Sequence, residues 1–149
     1  MPELDPRPGS RGRARSDPIT HHDLCFGCGT ANLFGLQLEL ERAPDGGVEG
    51  RFFVKQDHQG PPGYAHGGVL AAALDEAMAL LLHDRGLRAV TGRLEVDLRG
   101  PAPVGAFVTV DARVESAEGR RIELVARARG AEPEALLAEA RGVFVRPAA

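Results

Sequence analysis

The chain has 149 residues, of which 43% are hydrophobic and 26% charged, with a formal net charge of −3. That length suits one domain with a real core, and the composition excludes an intrinsically disordered chain. The weak negative charge argues against a nucleic-acid partner, no apolar run reaches the roughly 20 residues that span a bilayer, and no signal-peptide-like segment opens the chain, so a cytoplasmic protein with no membrane partner is expected.

Residues 1–20 hold four prolines, two glycines and four arginines with almost no apolar content. They read as a disordered tail, in which Glu3, Asp5 and Asp17 offset most of the charge of Arg7, Arg11, Arg13 and Arg15. A single domain is expected over residues 21–149. It opens with His21-His22-Asp23-Leu24-Cys25-Phe26-Gly27-Cys28-Gly29. Two thiols and two imidazoles invite a zinc reading, but adjacent histidines are hard to aim at one ion and no second Cys-x-x-Cys exists. The expectation is therefore no metal and two reduced thiols packing a turn. A redox disulfide has no support either, since no strand-helix unit of the thioredoxin kind follows.

From Gly35 the pattern has period two: Leu36, Leu38 and Leu40 alternate with Gln37, Glu39 and Glu41, which predicts a strand with one buried face. Pro44-Asp45-Gly46-Gly47 is a turn, and Val48, Gly50, Phe52 and Val54 predict the hairpin partner. A Gly- and Pro-rich loop, residues 55–65, then supplies His58, Gln59 and Tyr64 as candidates to line a pocket mouth.

Val69 to Leu82 is apolar at every position except Asp75 and Glu76. A helix apolar on all sides is expected to be wrapped by the rest of the molecule, and a carboxylate within it must be compensated, shifted in pKa or used. Gly67 and Gly68 sit at the helix start, where each gives up roughly 1 kcal/mol of propensity, which makes sense if something must approach the backbone. The free N–H groups and positive dipole end there can hold an oxyanion. Gly67 and Asp75 lie eight residues apart, roughly 12 Å along the axis, so two groups acting on one carbonyl must come from two copies of the chain. A homodimer with shared acyl-transfer sites is the resulting expectation. Glu76 points about 100° away around the helix and is expected to serve as an ion-pair or solvent-contact residue.

Gly86 closes the helix, and four strands follow. Val90 to Arg99, with Leu94, Val96 and Leu98 on one face, is the first, Phe107 to Glu115 the second, and Arg121 to Arg129 the third. Residues 135–146 make the fourth, where Leu136-Leu137 obscures the register. Two strands, one buried helix and four strands predict an α+β domain in which a curved antiparallel sheet of about six strands grips one central helix.

This order, with Gly63-Tyr64-Ala65-His66-Gly67-Gly68 leading into Leu74-Asp75-Glu76-Ala77, resembles the hotdog-fold thioesterases of the phenylacetate-pathway (PaaI-like) type. The Cys25-Phe26-Gly27-Cys28-Gly29 loop with Asn32 and Gly35-Leu36 is similar to a bacterial subgroup carrying that loop. Val90-Thr91-Gly92-Arg93-Leu94 and Pro101-Ala102-Pro103-Val104-Gly105 add to the likeness. The resemblance implies hydrolysis of an acyl-coenzyme A thioester by homodimers or homotetramers, with no cofactor. Asp75 would activate water or attack the thioester, and the Gly67 N–H of the other subunit would hold the oxyanion. His66 would support the loop or bond the substrate near sulfur, and Thr91 would help place the water. Gly68, Gln59, Gly60 and Tyr64 would line the substrate's path, Gly60 standing where the family often carries Asn or Gln, with Gln59 adjacent. An acyl-CoA-binding protein without activity on the same fold is the alternative. A serine triad is not indicated: no Gly-x-Ser-x-Gly occurs, and Ser10, Ser16 and Ser116 lie in the tail or a turn.

Overall fold

The computed structural model describes residues 18–131 and 134–148. The elements follow the expected order: β1 (Glu39–Arg42), β2 (Val48–Phe53), a 3-10 turn (Gln56–His58), α1 (Gly67–Asp84), β3 (Val90–Leu98), β4 (Phe107–Glu118), β5 (Arg121–Ala131) and β6 (Glu134–Val145). All six strands form one sheet in the order β1-β2-β4-β5-β6-β3, and every pairing is antiparallel. The last strand thus lies between β5 and β3, which leaves β3 as an edge.

α1 lies across the concave face because its Leu70, Ala73, Leu74, Ala77, Met78, Leu80, Leu81 and Leu82 are buried together with Phe52, Val108, Val110, Ile122, Leu124 and Phe144 of the strands. Each large apolar side chain removed from water stabilises this arrangement by about 1.5–3 kcal/mol. Ala126, Ala128, Ala138 and Ala140 keep the sheet surface low enough for the helix to settle on it. Gly142 takes this furthest: a Cβ there would lie 3.0 Å from the Met78 sulfur and 2.8 Å from the Phe144 ring. The helix ends in a Schellman pairing, with Gly86 at φ 75° donating to the His83 carbonyl and Leu87 donating to that of Leu82. Beside it, Arg42 of β1 grips Asp84 through Nε and a terminal nitrogen at 2.6 and 2.8 Å, tying the helix end to the sheet.

The helix is not enclosed on every side, which corrects the expectation from its composition. Val69, Ala72, Asp75, Glu76 and Ala79 are only half-buried, at the three- and four-residue spacing of one helix face. One sheet layer can cover one side of a helix; the loop of residues 19–36 covers part of the other.

Two strand boundaries also differ. Leu36, Leu38 and Leu40 are all buried as the alternation requires, but pairing with β2 begins only at Glu39. The N–H groups of Leu36 and Leu38 instead donate to the carbonyls of Phe26 and Gly27, so this half of the predicted strand docks on the Cys-x-x-Cys turn. In β6 the double leucine is a bulge: Ala128 pairs with Ala138 while Arg129 pairs with Leu136, leaving Leu137 extra and buried. The tail reading, with its arginines, falls on residues that lie outside the described ones up to 17. Ile19, assigned to that tail, is buried, and its N–H donates to the Leu40 carbonyl.

Candidate active site

His66 is the N-cap of α1, with extended backbone, and its Nδ1 accepts a hydrogen bond from the Gly68 N–H at 2.8 Å. Accepting at Nδ1 places the proton of the neutral ring on Nε2, which leaves an N–H donor on the outer side of an exposed imidazole. A Cβ at Gly68 would sit 3.0 Å from that Nδ1, so the second glycine keeps the cap free of crowding. The first helical N–H, that of Gly67, has no acceptor among the described residues, as the geometry of a helix start dictates. It points its partial positive charge out of the helix, and a Cβ at Gly67 would lie 2.8 Å from Cδ1 of Leu98 at the end of β3.

Two helical turns further on, Asp75 Oδ1 accepts the Thr91 hydroxyl at 2.7 Å. Thr91 opens β3, so one end of that strand stands beside Asp75 and the other, through Leu98, beside Gly67. Asp75 Oδ2 has no protein partner among the described residues and is available to a water. The separation of Asp75 from Gly67 along α1, roughly 12 Å, means that one chain does not bring both to one carbonyl.

The loop before the helix holds its own shape tightly. Gln59 Oε1 accepts the Gly63 N–H at 2.7 Å, Gly60 N–H donates to the Tyr64 carbonyl, and Tyr64 N–H to that of Pro61. A Cβ on Gly60 would lie 2.7 Å from Cα of His66, so an Asn or Gln there has no room in this loop. Gln59 folds back on the loop, and Tyr64 is exposed against Pro103. His58, considered for the pocket mouth, is instead 2% exposed. Its Nδ1 accepts from the Lys55 N–H, and its Nε2 lies 3.1 Å from the Gly35 carbonyl, so it pins the loop to the core.

Glu76 makes the ion pair expected of it, with a partner that the sequence alone did not name. Its carboxylate lies 2.6 Å from His21 Nδ1 and 3.4 Å from Cys25 Sγ, beneath the Cys-x-x-Cys turn. A hydrogen bond to the Cys28 sulfur first, and then the Glu76 carboxylate, push the His21 pKa up to about 11. Burial opposes the charge on Glu76, but the hydrogen bond and charge of His21 together with hydrogen bonds from Cys28 and Cys25 outweigh it and hold the carboxyl below its ordinary range. Burial pushes the Cys28 thiol up. The sequence marked both sides of this contact, an acid on an otherwise apolar helix and a His- and Cys-rich turn about fifty positions upstream, but nothing in the spacing joined them.

A cavity of about 580 Å³ lies on the outer face of β1, β2 and β4, lined by Glu39, Arg51 and Asp111 among others, and does not touch Asp75 or Gly67. Asp75 and Thr91 therefore open at the β3 edge and not into that cavity. No helix among the described residues is long and apolar enough to cross a membrane.

The family model of the thioesterase superfamily matches residues 62–137, just over half of the chain and the span from the His66 loop through α1 into β6. The chain belongs to the thioesterase superfamily, with the six-stranded antiparallel sheet and single helix of the hotdog fold. An acyl-coenzyme A thioesterase THEM4 of Xenopus laevis is 32% identical over 88 residues, 59% of this chain and 40% of that protein. The chain thus spans less than half the length of the curated relatives it matches. A crystal structure of a thioesterase superfamily protein is 30% identical with a TM-score of 0.73, covering 85% of this chain and 64% of the other. The PaaI protein of the E. coli phenylacetic acid degradation operon, 21% identical over 76% of this chain and 81% of its own, superposes with a TM-score of 0.68, a likeness of fold.

Proposed function

We propose that the protein hydrolyses acyl-coenzyme A thioesters of small or medium acyl or aryl groups, in sites shared between two copies of the chain. The observation that carries this reading is the arrangement along β3. Thr91, at one end, holds Asp75, and Leu98, at the other, abuts Gly67. β3 is a sheet edge with Val90 71% and Leu98 56% exposed, which is an unpaired template for another strand. Pairing β3 antiparallel with its own copy about a two-fold axis near Leu94 and Glu95 sets Thr91 of one protomer opposite Leu98 of its partner. Asp75 then faces the helix start of the second chain, and the isologous contact yields two equivalent sites.

In such a site the Gly67 N–H, with the helix dipole behind it, binds the thioester oxygen as it gains negative charge; one such donor contributes about 3–4 kcal/mol. Asp75, oriented by the Thr91 hydroxyl at Oδ1, takes a proton from water through Oδ2. The water oxygen adds to the carbonyl carbon, the tetrahedral intermediate collapses, the C–S bond breaks, and the proton passes to the departing thiolate to give the carboxylic acid and free coenzyme A. Direct attack by Asp75 uses the same groups and passes through an anhydride. The His66 Nε2–H is the donor nearest the helix start on the substrate side and suits a bond near the thioester. The relatives named as acyl-coenzyme A thioesterases and a Streptococcus pneumoniae thioesterase solved with coenzyme A support this substrate class.

The test is steady-state hydrolysis of phenylacetyl, hydroxybenzoyl and straight-chain CoA thioesters. Turnover of at least one is expected, with Asp75→Ala losing hydrolysis while still binding acyl-CoA. Binding without turnover by the wild type would replace the enzyme with an acyl-CoA-binding protein. Sharing is tested by co-expressing Asp75→Asn with Gly67→Val: each alone is inactive, and the mixture recovers about a quarter of wild-type activity, because mixed dimers carry one intact site.

A further inference from the structure

We propose that His21, Cys25, Cys28 and Glu76 form a structural zinc site that clamps the N-terminal loop onto α1. One donor atom from each of the four lies within 4.8 Å of all the others. His21 Nδ1 is 3.7 Å from both Cys25 Sγ and Cys28 Sγ, and Cys25 Sγ is 3.4 Å from Glu76 Oε1. Zn–S bonds of about 2.3 Å and Zn–N or Zn–O bonds of about 2.0–2.1 Å at tetrahedral angles require donor-to-donor edges of roughly 3.3–3.8 Å. Of the six edges among four donors, these three already fall in that range, and Cys25 to Cys28 and Cys28 to Glu76 lie within 4.8 Å. His21 to Glu76, at 2.6 Å, is drawn to hydrogen-bond length and opens by under about 1 Å on a swing of the glutamate.

The loop is built around this point. Adjacent histidines do not compete for one ion, because His22 is exposed and its Nδ1 accepts the Leu24 N–H, so His21 alone turns inward. The backbone N–H of His21 donates to Cys28 Sγ at 3.1 Å and holds that sulfur beside the His21 ring. Gly27 sits directly over the fourth donor: a Cβ there would lie 2.3 Å from Cγ of Glu76 and 2.5 Å from Oε2. Only a residue without a side chain lets the turn close on the carboxylate. The Gly29 N–H to Cys25 carbonyl bond and the Leu38 N–H to Gly27 carbonyl bond hold that closure.

Donor chemistry selects the ion. Two thiolates with an imidazole and a single carboxylate favour zinc over magnesium or calcium, which prefer all-oxygen shells. Cys28 is 1% exposed and the Glu76 side chain 13%, so the four protein ligands leave no open position, and the ion is structural and not hydrolytic. Binding releases to solvent the two thiol protons and the proton that His21 Nδ1 holds against Glu76, and two thiolates and one carboxylate against a divalent cation leave one net negative charge. The site shares a helix with Asp75 but rests on no assumption about acyl-CoA, so the metal and the hydrolase can fail separately.

The full chain, purified without a histidine tag under reducing conditions, is analysed by elemental mass spectrometry. About one zinc per chain is expected, and cobalt exchange should give the d–d and thiolate charge-transfer bands of a tetrahedral site. Cys28→Ser loses both. Glu76→Gln weakens zinc retention by at least the roughly 10–100-fold that loss of an outer partner costs, and His22→Ala leaves it unchanged. Wild-type protein that holds no zinc and gives no cobalt bands overturns the proposal, as does a Cys25–Cys28 disulfide in the freshly purified protein. Equal metal loss in His22→Ala and Cys28→Ser overturns the ligand assignment.

Discussion

Asp75 and Glu76 are neighbours on one helix with opposite circumstances. Asp75 is half-buried and bonded to a single hydroxyl from β3, at the open edge of the sheet. Glu76, turned about 100° around the axis, is roofed by a turn whose glycine touches it and is surrounded by an imidazole and two sulfurs. An acidic residue in an apolar helix thus signals two different things. Where the chain closes over the carboxylate, the group holds structure together; where the chain leaves it at an open edge, the group is available to a reaction.

The comparison breaks first at Asp75. Asp75→Asn preserves shape and hydrogen bonding to Thr91 but removes the base, so hydrolysis is expected to fall about 10²–10⁴-fold with an unchanged melting temperature. Retention of more than a tenth of the wild-type rate would show that the open carboxylate is not the reacting one. Next comes the edge itself. Leu98→Asp sets a charge in the seam of the proposed dimer and is expected to yield monomers by sedimentation and to lower activity about tenfold or more, with recovery at high protein concentration. A monomeric wild type with full activity would defeat the shared-site reading.

On the closed side the effects should appear in stability alone. Gly27→Val drives a branched side chain into Glu76 and is expected to destabilise the fold by about 1–3 kcal/mol, read from urea midpoints, with kcat per folded molecule kept. A loss of kcat without loss of stability would couple the two carboxylates functionally. The smallest effect is expected at Thr91→Val. Losing one neutral-to-charged hydrogen bond worth about 1.5 kcal/mol should lower kcat roughly tenfold while KM holds. A change in KM alone would move Thr91 from orienting Asp75 to touching substrate.

Much of this was legible in the residues. Period-two alternation placed the strands because a half-buried sheet demands it, and the run from Val69 to Leu82 placed the helix because nothing else hides so many apolar side chains. Asp75, Gly67 and His66 stood out through their positions relative to that helix. The Leu136-Leu137 bulge did not, since a doubled leucine reads equally as a slip to either face until the facing strand is known. His58 looked like a pocket residue because a loop histidine carries no mark of burial; only its bonds to Lys55 and Gly35 show it inside.

Local periodicity and backbone chemistry were enough to locate six strands and one helix, apart from the Leu36–Leu38 segment that docks on a turn, and to show that the helix begins with bare amides and carries an acid. Tertiary structure alone decided that β6 lies between β5 and β3, that β3 is left with an open edge, and that Glu76 meets a turn nearly fifty residues away. Those outcomes depend on how a sheet curls around a helix and on which long-range surfaces then touch, and spacing along a chain does not record that.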